Sequence, residues 1–395
     1  MRLRRIGLLA VGLAGTAALA ACGSPSGPVA DRAAAPVLTS GAPTPASTRA
    51  STPASTTSRP PARPLPSAGP LVPAPRTTTA ASRPGGTAAP VDSRGADTSH
   101  PDRVVGSGSP AGCTSAAVVA AVAAGGVITF DCGPSPVTIA MTQTAKIVNA
   151  HPRTVLDGGG TVTLSGGGRH RILYQNTCDQ AQGYTTSHCQ DQETPELVVQ
   201  NLTFAEGNST GDLTEGGGGG AIFVRGGRFS VIGSRFVGNR CDPTGPDLGG
   251  AALRVLSQFH GQPVRVVGST FTGGVCSNGG ALSSIGVSWD IADSTFTGNK
   301  AIGNGANPAR SGTPGGGSGG AIYLDGNTFT LRISGSRITG NSAAEGGGAI
   351  FFVSNDRTGT ATVTGSTISG NPSAGFETAG LPGWFFLGAR PPSIS

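Results

Sequence analysis

Gly219-Gly220-Ala221-Ile222-Phe223-Val224 is the stretch on which the fold turns, because the chain writes it again. It returns as Gly279-Gly280-Ala281-Leu282, Gly319-Gly320-Ala321-Ile322-Tyr323 and Gly347-Gly348-Ala349-Ile350-Phe351-Phe352, with a looser copy at Gly249-Gly250-Ala251-Ala252-Leu253. After each copy a second short apolar stretch runs to a Gly-Asn turn or something close to it. The pair reads as one rung of a stacked β-coil.

The second stretch can be aligned on Phe204, Phe236, Phe271, Phe296, Ile338 and Ile368. Five residues earlier stands a β-branched residue in every copy: Val199, Val231, Val266, Ile291, Ile333 and Val363. Two earlier, five of the six copies carry Ser (234, 269, 294, 336 and 366), and three later, four carry Asn (239, 299, 341 and 371). Agreement at several slots is the mark of a repeat array. Apolar residues two apart face one side of a strand, here the coil interior. Ser and Asn near turns suit hydrogen bonding to backbone, and stacking would set them about 4.8 Å apart in ladders. Glycine pairs allow sharp corners without a Cβ clash. The uneven anchor spacings of 32, 35, 25, 42 and 30 put the differences into loops, and the longest insertion, 300–318, is expected to project from one face.

Upstream, Cys113-Thr114-Ser115 precedes an Ala/Val run closed by Gly125-Gly126, which predicts a short helix with a hydroxyl N-cap. Such a helix would cover the open end of a solenoid. Short strand triplets follow, and a polar insertion over 174–196 holds Cys178 and Cys189. The fold class expected is all-β: a right-handed, single-stranded parallel β-helix of the pectate-lyase-like solenoid type, with a short N-terminal capping α-helix.

Six cysteines remain beyond Cys22, an even count that suggests disulfides in an exported chain. Cys241 and Cys276 each lie five residues after their anchor Phe, so stacking brings them within bridging range. Pairing Cys113 with Cys132 would clamp the helix to the first strand, and Cys178 with Cys189 would close the insertion. Metal binding, the alternative, lacks Cys-x-x-Cys spacing and clustered His.

The first residues are Met1-Arg2-Leu3-Arg4-Arg5 and then an apolar run to Ala21, the pattern of a secretory signal over 1–21. Leu19-Ala20-Ala21-Cys22 resembles the bacterial lipobox, which implies lipidation at Cys22 and a membrane tie through that lipid. Ordinary Ala-x-Ala cleavage with Cys22 a bystander is the other reading. Residues 22–110, rich in Pro, Ser, Thr and Ala, lack apolar periodicity and read as a disordered stalk. The folded domain is then 111–395. The net charge of +6 belongs to leader and stalk, since beyond residue 110 there are 16 basic and 17 acidic residues. Nucleic-acid binding thereby loses its main electrostatic support.

The Gly-Gly-Ala-Ile and Phe-x-x-Asn pairs, as in 219–222 with 236–239 and 279–282 with 296–299, resemble the repeats of the polymorphic outer-membrane proteins of chlamydiae. The resemblance covers roughly 113–375 and implies a β-helix at the cell envelope. Parallel β-helices also host polysaccharide lyases and hydrolases, but fold alone grants no activity. The Asn-Thr-Asp, Asp-Asp, Gly-His-Gly and Arg-x-Lys segments of a polygalacturonase-like site are absent. The two lysines, Lys146 and Lys300, stand apart from acidic clusters in sequence.

Two constellations are candidates for a ligand. Arg169-His170-Arg171 follows glycine-rich turns and suits an anionic sugar, or is a set of exposed turn residues. Arg225 and Arg228, Gln258 and His260, Asp325 and Asn327, and Asn355-Asp356-Arg357 follow successive strands and would line one edge as a polar ridge. A solenoid must also solvate its outer turns. The expectation is a monomeric, lipid-anchored envelope module without cofactor or metal, non-catalytic, binding an extracellular glycan or a cell-surface protein. A polysaccharide lyase or hydrolase is the alternative.

Overall fold

The computed structural model describes residues 94–213 and 217–395. Cys22, the signal-like leader and most of the stalk lie outside them. The described chain winds as a parallel β-helix, with every named strand pair parallel. Each repeat copy begins with the Gly-Gly-Ala-Ile strand, and these strands stack into an 8-stranded sheet that runs from Ala145–Lys146 to Trp384–Leu387.

The second apolar stretch, read as one unit from sequence, is two strands in the upper coils. Thus Val264–Val267 and Thr270–Thr272 are separate, bent apart at Gly268-Ser269. In the lower coils Arg153–Ser165 and Glu196–Ala205 run through both positions, so both stacks join in one 16-stranded sheet. A small third sheet follows the Asn turn, built from Val275–Cys276, Lys300–Ala301 and Ser342–Ala343.

Register follows the aligned slots. Phe204, Phe236, Phe271, Phe296, Ile338 and Ile368 are cross-strand partners in order. Val231, Val266, Ile291, Ile333 and Val363 do the same one strand earlier. The four Phe rings are buried and stacked, with centroids 5.1, 4.7 and 4.7 Å apart. Trp289 is fully buried and donates Nε1 to Ser284 Oγ at 2.9 Å.

Both ladders form. Asn341 Nδ2 donates to Phe296 O of the previous coil at 3.0 Å, while its Oδ1 accepts the Asn299 backbone N–H at 3.0 Å. Asn239, Asn299 and Asn371 repeat the pattern. The Ser backbone N–H groups at 234, 269, 294 and 336 donate to the Ser Oγ of the next coil at 3.0–3.1 Å. Each Oγ donates in turn to the carbonyl two residues back. Backbone groups at two corners, which a bend removes from the sheet, thereby regain partners.

The glycine pair has a divided task. The first glycine (Gly219, Gly279, Gly319, Gly347) has φ of 65, 54, 71 and 63°. The second needs bareness for a different reason: a Cβ on Gly320 would sit 2.0 Å from Gly348 O of the next coil, and on Gly220 2.0 Å from Arg240 O. One glycine supplies the left-handed turn and the other lets neighbouring backbones touch.

The helix is Ser115–Ala124, with Thr114 Oγ1 accepting Ala117 N–H at 3.2 Å. Its Val118 and Val122 bury into the end of the core. Residues 94–110, grouped with the stalk by composition, take part in the fold. Arg103–Gly106 pairs with Gly126–Asp131, Val105 is buried, and Ala96 N–H donates to Gln200 Oε1 at 2.8 Å. A strand of four residues with one buried side chain is too short to show as periodicity within a Pro/Ser-rich stretch.

All three expected disulfides are present, with Cα–Cα distances of 5.7 Å (Cys113–Cys132), 4.9 Å (Cys178–Cys189) and 4.8 Å (Cys241–Cys276). Trp384–Leu387 is the last rung of the sheet, with Trp384 opposite Ile350 and Phe386 stacked on Phe352 at 4.7 Å.

Candidate functional site

Ladders occupy two corners, so functional chemistry has to come from side chains that leave the coil elsewhere. The turns after the Gly-Gly-Ala-Ile strands do stack on one edge. Asn355 N–H donates to Gly326 O at 2.7 Å and its Nδ2 to Asp325 Oδ1 at 3.1 Å, while Ser354 Oγ donates to Asn327 O at 2.7 Å. Asn327, Asn355, Asp356 and Arg357 are exposed there. Asp356 is held below the ordinary carboxylate range, first by the Thr358 hydroxyl, with the Thr358 N–H, Ser354 and Thr328 adding to it.

Lower on the same edge, Phe259 N–H donates to Gly227 O, and the His260 N–H reaches Asp191 Oδ1 of the insertion at 2.6 Å. Arg228 lies 3.8 Å from Glu193 of the same insertion. Gln258 is buried rather than presented. Arg225 is half-buried, and its carbonyl accepts the Thr177 N–H.

Arg169, His170 and Arg171 do not join this ridge. The first two sit on the turn at the end of Arg153–Ser165, where the His170 carbonyl accepts the Asn208 N–H. Arg171 is buried: Nη1 pairs with Asp212 at 2.6 Å, Nε donates to Gly219 O at 3.1 Å and Nη2 to Gly218 O at 2.9 Å. It clamps the glycine-rich corner of the next coil. Its neighbours in sequence gave no sign of this, because both carbonyls lie one coil away.

The richest chemistry stands on the outward side of the Gly-Gly-Ala-Ile sheet, which sequence reading left out. Tyr174, Phe223, Arg254, Ser283, Tyr323, Phe351 and Phe385 are cross-strand neighbours in one outward column. Loops roof it, so that Phe223, Arg254 and Tyr323 are as buried as the core.

At its lower end a cavity of about 320 Å³ is lined by Thr144, Lys146, Arg171, Tyr174, Asp179 and Asp212. Lys146 Nζ stands 5.5 Å from the Tyr174 ring centroid, and Tyr174 Oη donates to Asp179 at 3.2 Å. The fold thus brings one lysine beside two aspartates that are 33 and 66 positions away in sequence.

Higher up, the 300–318 insertion does not project; it lies down over the column as a strap. Asn304 and Ala306 pair antiparallel with Gly315 and Gly316. Arg310 holds the buried Glu345 through two bonds of 2.6 and 2.8 Å, and Glu345 also accepts the Gly305 N–H at 2.8 Å. That pairing with Arg310 keeps the Glu345 carboxyl below its ordinary value.

Beneath the strap, Asn307 Nδ2 contacts Tyr323 Oη at 2.7 Å, Asp247 Oδ1 at 2.8 Å and Asp325 Oδ2 at 3.0 Å. Burial pushes the Asp325 pKa up, against hydrogen bonds from Gly326, Tyr323 and Asn355. Burial likewise raises Tyr323 and lowers Arg254, the latter to about 10. The slot alignment could have flagged Arg254, which stands where other copies carry Phe223, Tyr323 or Phe351, but no spacing could reveal the strap.

Stacked parallel strands, an inward Phe column and the Ser and Asn ladders make this a parallel β-helix repeat protein. Residues 335–353, which run from the Ser corner through Asn341 to the Ile350 strand, match the family described as Chlamydia polymorphic membrane protein repeat. Searches of curated proteins and of solved structures gave no match. Among the described residues no helix is long and apolar enough to cross a membrane. The three disulfides fit a domain that folds outside the reducing cytoplasm.

Proposed function

We propose that this protein is an exported envelope module, lipid-anchored at Cys22, which binds an extracellular glycan or cell-surface protein without catalysis. The stacked, exposed turn edge at Asn327, Asn355, Asp356 and Arg357 supports this reading most, since a polymer lying along the rod meets a polar group at successive coils. The match to an envelope-protein repeat agrees with it. The most regular slots are spent on ladders, which specify a scaffold and leave ligand contact to turns.

The test is to incubate the full chain with a panel of acidic and neutral polysaccharides, measuring retention and end-group release together. Retention without new reducing or unsaturated ends is expected, weakened by Asn355→Ala with Arg357→Ala. Cys22→Ser should release the protein from membranes, and persistent association would overturn the anchor. A second reading, a polysaccharide lyase or hydrolase, draws support from Lys146 beside Asp179 and Asp212, a base next to acids. End-group release abolished by Lys146→Ala would establish it in place of the first.

A further inference from the structure

The corner turned by the Asn ladder is bare on its outer side. Gly238, Gly273, Gly298, Gly340 and Gly370 occupy it in successive coils, and a Cβ added to any of them would meet nothing within 4 Å. A strip of surface without side chains therefore runs along the rod. On one side of it stand Thr272, Thr297, Thr339 and Ser369, cross-strand neighbours that point away from the Phe column. Thr270, Thr295 and Thr367 belong to a second rank, two residues back in the same strands. Among the described residues no other group bonds to any of these hydroxyls.

Four exposed cations border the strip. Arg235 and Arg337 stand in the second rank, three rungs apart, and Arg240 and Lys300 stand across the corner, two rungs apart. At about 4.8 Å per rung these intervals are about 14 and about 10 Å. None of the four is paired with a carboxylate. Acids frame the strip rather than interrupt it. Glu206 takes the glycine position one coil below Gly238, and Glu377 shares a hollow with Ser369 and Gly370 at the upper end. Asp293 lies at the Ser corner, Asp242 follows the Arg240 strand and accepts the Gly211 N–H, and Asp290 is bonded to Arg332. Since the chain beyond residue 110 holds 16 basic and 17 acidic residues, columns that carry cations alone do not follow from composition.

We propose that this corner is a track for a linear acidic polysaccharide, whose acid groups meet Arg235, Arg240, Lys300 and Arg337 while its hydroxyls bond to the threonines. One exposed ion pair is worth little in water. Within each column the cations lie more than a Debye length apart, which is about 8 Å at physiological salt. A small anion therefore gains at one position only, whereas a polymer gains at several through a single attachment. Each threonine hydroxyl both donates and accepts, as a sugar hydroxyl does. No aromatic side chain stands in these outward columns, which leaves a nucleobase nothing to stack on. This inference rests on the glycan-binding reading; it names an acidic sugar chain and a seat apart from the turn edge.

The experiment measures, by calorimetry on the full chain, binding of an alginate hexasaccharide, of cellohexaose, which lacks acid groups, and of glucuronate, a single acidic sugar. The alginate hexasaccharide should bind, more weakly as salt rises, with no heat from cellohexaose or glucuronate at the same concentration. Arg235→Gln with Arg337→Gln, and Arg240→Gln with Lys300→Gln, should each weaken it, and the four together by about tenfold or more. Thr272→Val with Thr297→Val should weaken it by about threefold or more through lost hydrogen bonds. Valine suits an exposed strand, so circular dichroism should not change. An unweakened quadruple variant overturns the track and leaves the arginines of the stalk as the binder. Cellohexaose or glucuronate binding as tightly as the hexasaccharide overturns it too, as does equal binding of a DNA oligonucleotide of the same charge. An unweakened valine pair overturns the assignment to a sugar chain. Failure here with polysaccharide retention at Asn355 and Arg357 intact removes this track alone; loss of that retention with hexasaccharide binding intact removes only the turn edge.

Discussion

The flank that carries Phe236, Phe271 and Phe296 and the flank that carries Arg254 and Tyr323 belong to the same coils, yet they satisfy their groups by different means. On the first, each side chain meets its own kind one coil away: Phe on Phe, Ser on Ser, Asn on Asn. The geometry repeats with the strand spacing, so one solution serves every coil. On the second, Arg254 draws on Asp247 and Ser283, and Tyr323 on Asn307 and Asp325. No two coils share that arrangement, and one donor, Arg254 Nε, is left over. A translational lattice satisfies its members with one repeated contact, whereas a cluster assembled from loops needs a separate arrangement for each group.

Cutting into the lattice should produce the largest effect. Phe271 is fully buried between two rings at 4.7 Å, so Phe271→Ala is expected to cost about 3–5 kcal/mol in chemical denaturation. A loss under about 1 kcal/mol would mean that the column collapses without penalty and is not a packed stack. Asn341→Ala comes next. It strands the Asn299 backbone N–H and the Phe296 carbonyl, both inside the coil, for about 1–3 kcal/mol. Hydrogen exchange should quicken at Asn299 while the strap amides stay protected; the reverse pattern would break the distinction between the two flanks.

The smallest global effect is expected at the strap. Arg310→Ala should leave the unfolding midpoint nearly unchanged, because Arg310 is exposed, yet speed exchange at the Gly305 and Gly316 amides. Acid should reproduce it. The Glu345 carboxyl titrates near 4.5 when unfolded and lower in the fold. Its contribution is therefore complete above pH 4.5 and is lost as the pH falls through the folded value. Asp325 has the opposite sign: with its pKa raised by burial, its ionised form costs stability, and that cost is relieved on acidification. Strap exchange that rises below pH 4.5 and is abolished as a pH effect by Glu345→Gln would tie the fastening to this one carboxyl.

Most of the coil was legible because its rules are local or periodic. The slots around Phe236 gave register, the ladders and the Cys241–Cys276 bridge, all from residues that recur at fixed offsets. Arg103–Gly106 escaped because one buried valine makes no period. Arg171 was legible as a charge but not as a clamp, since its acceptors are Gly218 and Gly219, nearly fifty positions on. Of the turn residues, Asn327, Asn355, Asp356 and Arg357 lie exposed on neighbouring turns, whereas Gln258 of the same series is buried.

By itself, the sequence determined the β-helix, its inward columns and the Cys241–Cys276 disulfide, because stacking converts a fixed offset along the chain into a fixed neighbour in space. Only the tertiary structure decided that the 300–318 insertion lies down rather than projects. Only it placed Lys146 beside Asp179 and Asp212, and Asn307 against Tyr323, Asp247 and Asp325. Those meetings depend on how loops of unequal length fold back across coils. Nothing in the spacing of a repeat encodes that, since the loops are where the repeat stops.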